Sequence, residues 1–181
     1  MTTAVTAADV VSFWKEAGPS AWFQKNDTFD AEFRSRFLAA HEQAATGALA
    51  RWAETAEGAL ALLILLDQFP RNCFRGTARM FATDEQALVL AGQAIALGHD
   101  LASEEALRVF FYLPYEHSER LADQLRAIEL TRPLGGETFR FAEIHRDVIE
   151  RFGRFPHRNA VLGRRTTPEE AAFLAAGGFS G

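Results

Sequence analysis

Apolar residues recur three and four positions apart along most of the chain, and no stretch alternates apolar and polar positions with β-branched enrichment. The pattern predicts helices and no strands. Val10, Phe13 and Trp14 share one face of a first helix that begins after Thr6, has Asp9 in place for a capping box, and stops at Gly18-Pro19. Phe29, Phe33 and Phe37 make the stripe of a second helix, capped by Asp27 and ending near Gly47. Thr55 caps a third, whose run "ALALLILL" leads to Phe69, where Pro70 is expected to end it. Thr83 with Gln86 reads as a capping box for a helix ending at Gly98, and Ser103 opens another that stops before Pro114. Further helices are expected over 115–131, over 137–152 with Gly153 as the C-terminal cap, and from Pro168 onward. The fold class is therefore all-α, with about eight helices. Short connections place consecutive helices in antiparallel pairs. No linker, low-complexity tract or fixed-period repeat divides residues 1–181, so a single all-helical domain is expected.

The same periodicity places polar groups on faces that should be buried. Asp67 lies seven residues after Leu60 and four after Leu63, in line with Ile64. His117 stands four residues before Leu121, with Gln124 and Ile128 continuing that line, and His145 joins Phe141, Val148 and Phe152. Buried charge and buried imidazole are costly without partners, so these groups need ion pairs, hydrogen bonds or a wet cavity.

Composition narrows the classes. A net charge of −5 argues against a general nucleic-acid binder. Of the 19 basic side chains 17 are arginine, and seven of those fall within 140–165 against three acids, which makes that span a local basic cluster. The single cysteine, Cys73, excludes an internal disulfide and fits a reducing compartment, so a cytoplasmic protein is expected. The opening stretch "MTTAVTAADVVSFWKEA" lacks the basic and long apolar regions of an export signal. "ALALLILL" is far shorter than the roughly 20 residues that span a bilayer, so no membrane segment is expected.

Two segments concentrate donors beside helix breakers: "DQFPRNCFRG" at 67–76 and "RFGRFPHRN" at 151–159. Arg71, Arg75, Arg151, Arg154, Arg158 and Arg164 outnumber Asp67 and Glu119, and guanidinium forks suit carboxylates and phosphates. One reading is a pocket for a small anionic ligand, a carboxylate or a phosphate. In it Gln68, Arg71, Asn72, Arg75, Arg154, His157, Arg158, Asn159 and Arg164 are the ligand-binding candidates. His117 or His145 would be the acid/base and Asp67 or Glu119 would orient it; whether a reaction follows stays open. In the other reading the same clusters are internal clamps that fix helix ends, and Asn72 and Asn159 bind local backbone in turns. A third makes the apolar surplus of Trp14, Trp22 and Phe179 a homo-oligomer interface. G-x-S-x-G, H-E-x-x-H, Walker A and G-x-G-x-x-G patterns are absent, so no cofactor is expected, and the five histidines carry no recurrent metal-ligand spacing. His41 and His99 read as surface groups, and Cys73 as a small packed residue.

Phe13-Trp14, Trp22-Phe23, "LLDQFPRNCFRG", "FFYLPYEHSE" and "RFGRFPHRNAVLGRRTTPEE", in this order, resemble the bacterial domain-of-unknown-function family 924 over nearly the whole chain. The resemblance implies a TPR-like, all-helical fold and no assigned activity. It implies signature positions at Asp67 to Asn72 and Arg75, at Pro114 and His117 to Glu119, and at His145, Gly153 to Asn159 and Arg164. TPR-like folds commonly hold peptides, which keeps a protein-interaction module beside the anion pocket as an alternative.

Overall fold

The computed structural model describes residues 4–181; the first three residues of the stretch read for an export signal lie outside the described residues. Among the described residues there are α-helices, short 3-10 turns and one π turn, but no strand. The chain is all-α. It divides into two compact units, residues 1–75 with 79–111 and residues 76–78 with 112–181. No helix is long and apolar enough to cross a membrane among the described residues.

The first unit is built on aromatic packing. In α1 (Ala7–Ala17) the Thr6–Asp9 capping box forms as expected, and α3 (Asp27–Ala45) is capped by Asn26, one residue before the expected Asp27. Phe13 stacks on Phe29 and Phe33, with ring centroids 5.2 Å and 5.4 Å away, and Trp14 meets Phe110 edge-on at 5.4 Å. Between α1 and α3, α2 (Pro19–Trp22) delivers Trp22, whose indole N–H donates to the Trp14 carbonyl at 2.6 Å. Trp14 and Trp22 are thus core residues, and neither is available to the interface expected of them.

The apolar run belongs to α4 (Ala56–Leu63), which packs against α1 and α6 (Asp84–Ala96). Residues 58–70 are all buried, which explains why the run has no polar face. Gly58 is required here, because a Cβ would meet the Trp52 carbonyl oxygen at an impossible distance. Pro70 does not end this helix. A π turn over Ile64–Gln68, in which the Phe69 N–H reaches the Ile64 carbonyl, carries the chain directly into α5 (Phe69–Cys73), with Pro70 in its first turn. The missing proline N–H still has to be compensated. Leu65 and Leu66 are the residues five and four before Pro70. The His41 Nδ1–H donates to the Leu65 carbonyl at 2.8 Å, and the Thr83 hydroxyl donates to that of Leu66.

Those two bonds correct two expectations. His41 is a buried residue stacked on Phe69 at 4.8 Å, and Thr83 spends its hydroxyl on Leu66 instead of a capping box. Gln86 donates to the Ala44 carbonyl at 3.0 Å. His99, also expected at the surface, is partly buried in α7 (His99–Ala102), with Nε2 3.2 Å from the Ala53 carbonyl. Ser103 ends α7 where it was expected to start a helix. In α8 (Val109–Glu116) Pro114 lies inside the helix, so the expected break comes later, at 118–120, and α9 spans only Leu121–Thr131.

In the second unit α9 packs against α10 (Gly136–Phe152), and α11 (Pro168–Ala175) packs against a 3-10 turn at Pro156–Arg158. Gly153 ends α10 in the left-handed conformation at φ 67°, which an L side chain adopts only with strain. Val148, Ile149 and Phe155 form the core of this unit, with Phe152, Phe173 and Phe179 packed against it.

Candidate functional site

The Asp67 cluster lies in the π turn, within a stretch that is buried on every side. Asp67 is 1% exposed, and the Gln68 amide donates to its Oδ2 at 2.6 Å. Arg71, one helical turn later, donates to the Asp67 main-chain carbonyl at 2.9 Å. Its fork closes on Asp84 at 2.8 Å and 3.0 Å. Asn72 and Arg75 share Asp30, at 2.7 Å to Oδ1 and 3.1 Å to Oδ2. Cys73 lies between them with its thiol pushed up to about 12, first by burial and then by the Asp30 charge, which makes it a poor nucleophile.

In the second unit two bidentate pairs set the frame. Arg154 grips Glu170 at 2.6 Å and 2.9 Å and donates to the Arg165 carbonyl at 2.8 Å. Glu170 also accepts from Asn159 at 3.2 Å and from the Thr167 N–H at 2.7 Å. The Arg154 hydrogen bonds hold the Glu170 carboxyl down at about 2 despite its burial. Arg164 grips Glu119 at 2.6 Å and 3.0 Å and donates to Asn159 Oδ1 at 2.9 Å. Glu119 takes a further bond from the Phe155 N–H at 2.8 Å. Burial alone would raise the Glu119 pKa, but the Arg164 and Phe155 donors outweigh it and the net direction is down. A third fastening comes from the buried Gln124, whose amide donates to the carbonyls of Glu116 at 2.7 Å and Ser118 at 2.6 Å and so fixes the turn after α8.

Inside this frame the imidazoles gather. The ring centroid of His145 lies 6.2 Å from that of His117, 5.6 Å from Phe155 and 4.5 Å from Phe179, and His157 lies 5.6 Å from Phe155 and 5.4 Å from Phe179. The Arg158 guanidinium lies over the Phe155 ring at 4.5 Å, with Nη2 donating to the His117 carbonyl at 2.9 Å. His145 Nδ1 is 2.7 Å from the Phe141 carbonyl, one turn back along α10. A carbonyl only accepts, so Nδ1 carries the proton and the neutral ring presents Nε2 as an acceptor. Glu116 Oε2 is 3.6 Å from the same Nδ1, too far for a hydrogen bond. Burial, followed by the charge of His117 and then of Arg158 and His157, drives the His145 pKa down to about 3, against a raising contribution from the Phe141 bond. Among the described residues no group of three or more His, Cys, Asp or Glu side chains could hold a metal ion.

Residues 10–178 match the family described as "Bacterial protein of unknown function (DUF924)". The chain belongs to this family. A solved structure of a protein of unknown function from Agrobacterium tumefaciens is 58% identical, with a TM-score of 0.93 over 94% of this chain and 97% of its own. No match was found among curated proteins. In this DUF924 chain the groups that sequence reasoning passed over are mostly acceptors: Asp30, Asp84 and Glu170, which meet Asn72, Arg71, Arg75 and Arg154. Glu170 was within reach of the sequence, because "TPEE" carries the spacing of a capping box, and the box forms. Asp30, 42 residues before Asn72 and 45 before Arg75, has no such local signal.

Proposed function

We propose that this protein binds a small anionic ligand, a carboxylate or a phosphate, at the cluster of His117, His145, His157 and Arg158, within a frame made by the Arg154–Glu170 and Arg164–Glu119 pairs. The observation that carries the reading is the collection of three imidazoles and a guanidinium around Phe155 and Phe179. Three of these groups depress the basicity of the fourth, His145, through their charge. The positive charge that disfavours a proton on His145 would attract an anion to its side of the cluster, opposite in effect to the buried Glu116 carboxylate 3.6 Å from Nδ1. His145, neutral at pH 7 and with Nε2 as an acceptor, is the candidate proton acceptor at such a site. Asp67, Arg71, Asn72 and Arg75 are read as structural, as are Arg154 and Arg164, each of the four arginines facing a carboxylate of its own unit.

A second reading, a TPR-like interaction module in which all of these groups are clamps, draws on the two bidentate pairs of the second unit. Thermal-shift screening of the full chain against phosphorylated and carboxylated metabolites separates the two. A ligand at about 100 times its dissociation constant adds roughly 2.7 kcal/mol. Under the anion reading a hit is found and disappears in Arg158→Gln and His157→Ala variants that remain folded. No hit, or a hit unaffected by either substitution, leaves the clamp reading.

A further inference from the structure

We infer that residues 177–181 form a strap that closes over the imidazole cluster, with Gly177-Gly178 as its hinge and Phe179 as its plug, and that this strap lifts in acid. The inference goes beyond the anion reading and does not need the cluster to bind a ligand. The strap starts just after α11. Gly177 turns the chain at φ 78°, which L side chains adopt only with strain, and the Gly177 and Gly178 N–H groups donate back to the carbonyls of Leu174 at 3.1 Å and Phe173 at 3.0 Å. A Cβ on Gly178 would come within 2.5 Å of the Phe173 ring, so the turn is tight at both positions. It sends Phe179 back over α10, where the ring lies 4.5 Å from His145, 5.4 Å from His157 and 6.2 Å from Phe155, and it brings Gly181 beside the His157 imidazole. Phe179 is the nearest of the three rings that meet His145.

Residues 179–181 make no hydrogen bond among the described residues, so the packing of the half-buried Phe179 ring holds the strap down. A segment fastened in this way, on a hinge with no side chains to repack, opens locally at far smaller cost than the core beneath it. Acid shifts that balance. With the strap down, burial is the largest of the causes that hold the His145 pKa at about 3. The groups facing the ring are Glu116 at the end of α8, His117 in the turn after it, and His157 and Arg158 in the 3-10 turn; of these only Glu116 is acidic. Lifting Phe179 admits water to the ring and lets its pKa climb toward the ordinary value of about 6.5. Between those two values the open state binds a proton that the closed state refuses, so the strap stays closed at neutral pH and is drawn open as pH falls.

The test follows the Phe179 ring and the Gly177 amide of the full chain by NMR relaxation dispersion at about pH 7.5 and about pH 5.5. The expected result is a minor state whose population rises severalfold between the two, up to about tenfold if the open ring regains its full basicity. In His145→Asn, where the ring beneath the plug no longer titrates, that rise disappears. A cover that never lifts shows no minor state at either pH, and that result overturns the inference, as does a rise that persists unchanged in His145→Asn. Should His145→Asn not fold, the wild-type rise is joined by Phe179→Ala, in which diethyl pyrocarbonate should acylate His145 at least about tenfold faster than in the wild-type chain. Equal rates overturn the inference. The strap stands or falls on these readouts whether or not an anion binds, so its failure and that of the anion reading are told apart.

Discussion

The chain uses Phe-Pro segments twice, in the helical turn at Phe69-Pro70-Arg71-Asn72 and in the 3-10 turn at Phe155-Pro156-His157-Arg158-Asn159, and the two are put to different use. Around the first, Asp67 is buried within the π turn, Arg71 closes on Asp84, and Asn72 and Arg75 close on Asp30. Donor and acceptor meet at short range there, and even the carbonyls left by the proline are filled by His41 and Thr83. Around the second, two arginine–carboxylate pairs lie at the edges, and the middle holds three imidazoles, Arg158 and the buried Glu116 carboxylate. Local matching of charge makes a clamp. Gathering imidazoles and a guanidinium inside a frame of clamps instead lowers the basicity of the most buried ring, His145.

The largest expected effect tests what the two turns share. Phe69 and Phe155 are both completely buried, so Phe69→Ala and Phe155→Ala should each lower unfolding stability by about 3–5 kcal/mol in denaturant titrations. Only Phe155→Ala should also raise the His145 pKa, by admitting water to the ring, and histidine titration by NMR reads that difference.

Acid separates the turns next. His145 has its folded pKa depressed below the unfolded value, so the unfolded chain binds the extra proton between about 6.5 and about 3. Its stabilising contribution is present above pH 6.5 and is lost as pH falls through that window, amounting to roughly 4 kcal/mol at the lower end. His145→Asn should flatten this part of the pH–stability curve. The Glu170 carboxyl titrates at about 2, so the Arg154 clamp should stay closed over the whole range and open only below it. A wild-type curve that is flat from pH 6.5 to 4 would remove the electrostatic contrast between the two turns.

Thr83→Val leaves the Leu66 carbonyl without its side-chain donor and should cost about 1–3 kcal/mol, with faster amide exchange around the π turn. The smallest effect belongs to Cys73. Its thiol is raised to about 12, so alkylation at pH 8 should be slow in the folded chain, and Cys73→Ala should change stability by about 1 kcal/mol or less.

Much of the fold was legible because its determinants are local. Thr6 with Asp9, Thr55, Gly153 and Pro168 act within a few residues of themselves, and their caps and breaks lie where the sequence places them. The inward-pointing Asp67 and His145 were readable from helical spacing. Pro70 and Pro114 misled, because a proline's effect on a helix depends on whether other groups donate to the carbonyls it leaves unpaired, and the groups that do so for Pro70, His41 and Thr83, come from distant parts of the chain. His117 was assigned to the stripe of the following helix, and the break at 118–120 instead leaves it in the turn after α8.

The sequence by itself determined an all-helical chain, the positions of most helix ends, and a surplus of guanidinium and imidazole in two segments. These follow from periodicity, capping and composition, which act over one or two turns. Only the tertiary structure decided which donors meet which acceptors. Asp30 with Asn72 and Arg75, Glu119 with Arg164, and His145 beside His117 and Phe179 are pairings across 28 to 45 residues. Ion pairing and desolvation depend on distance in space, and a chain's local pattern carries no measure of that distance.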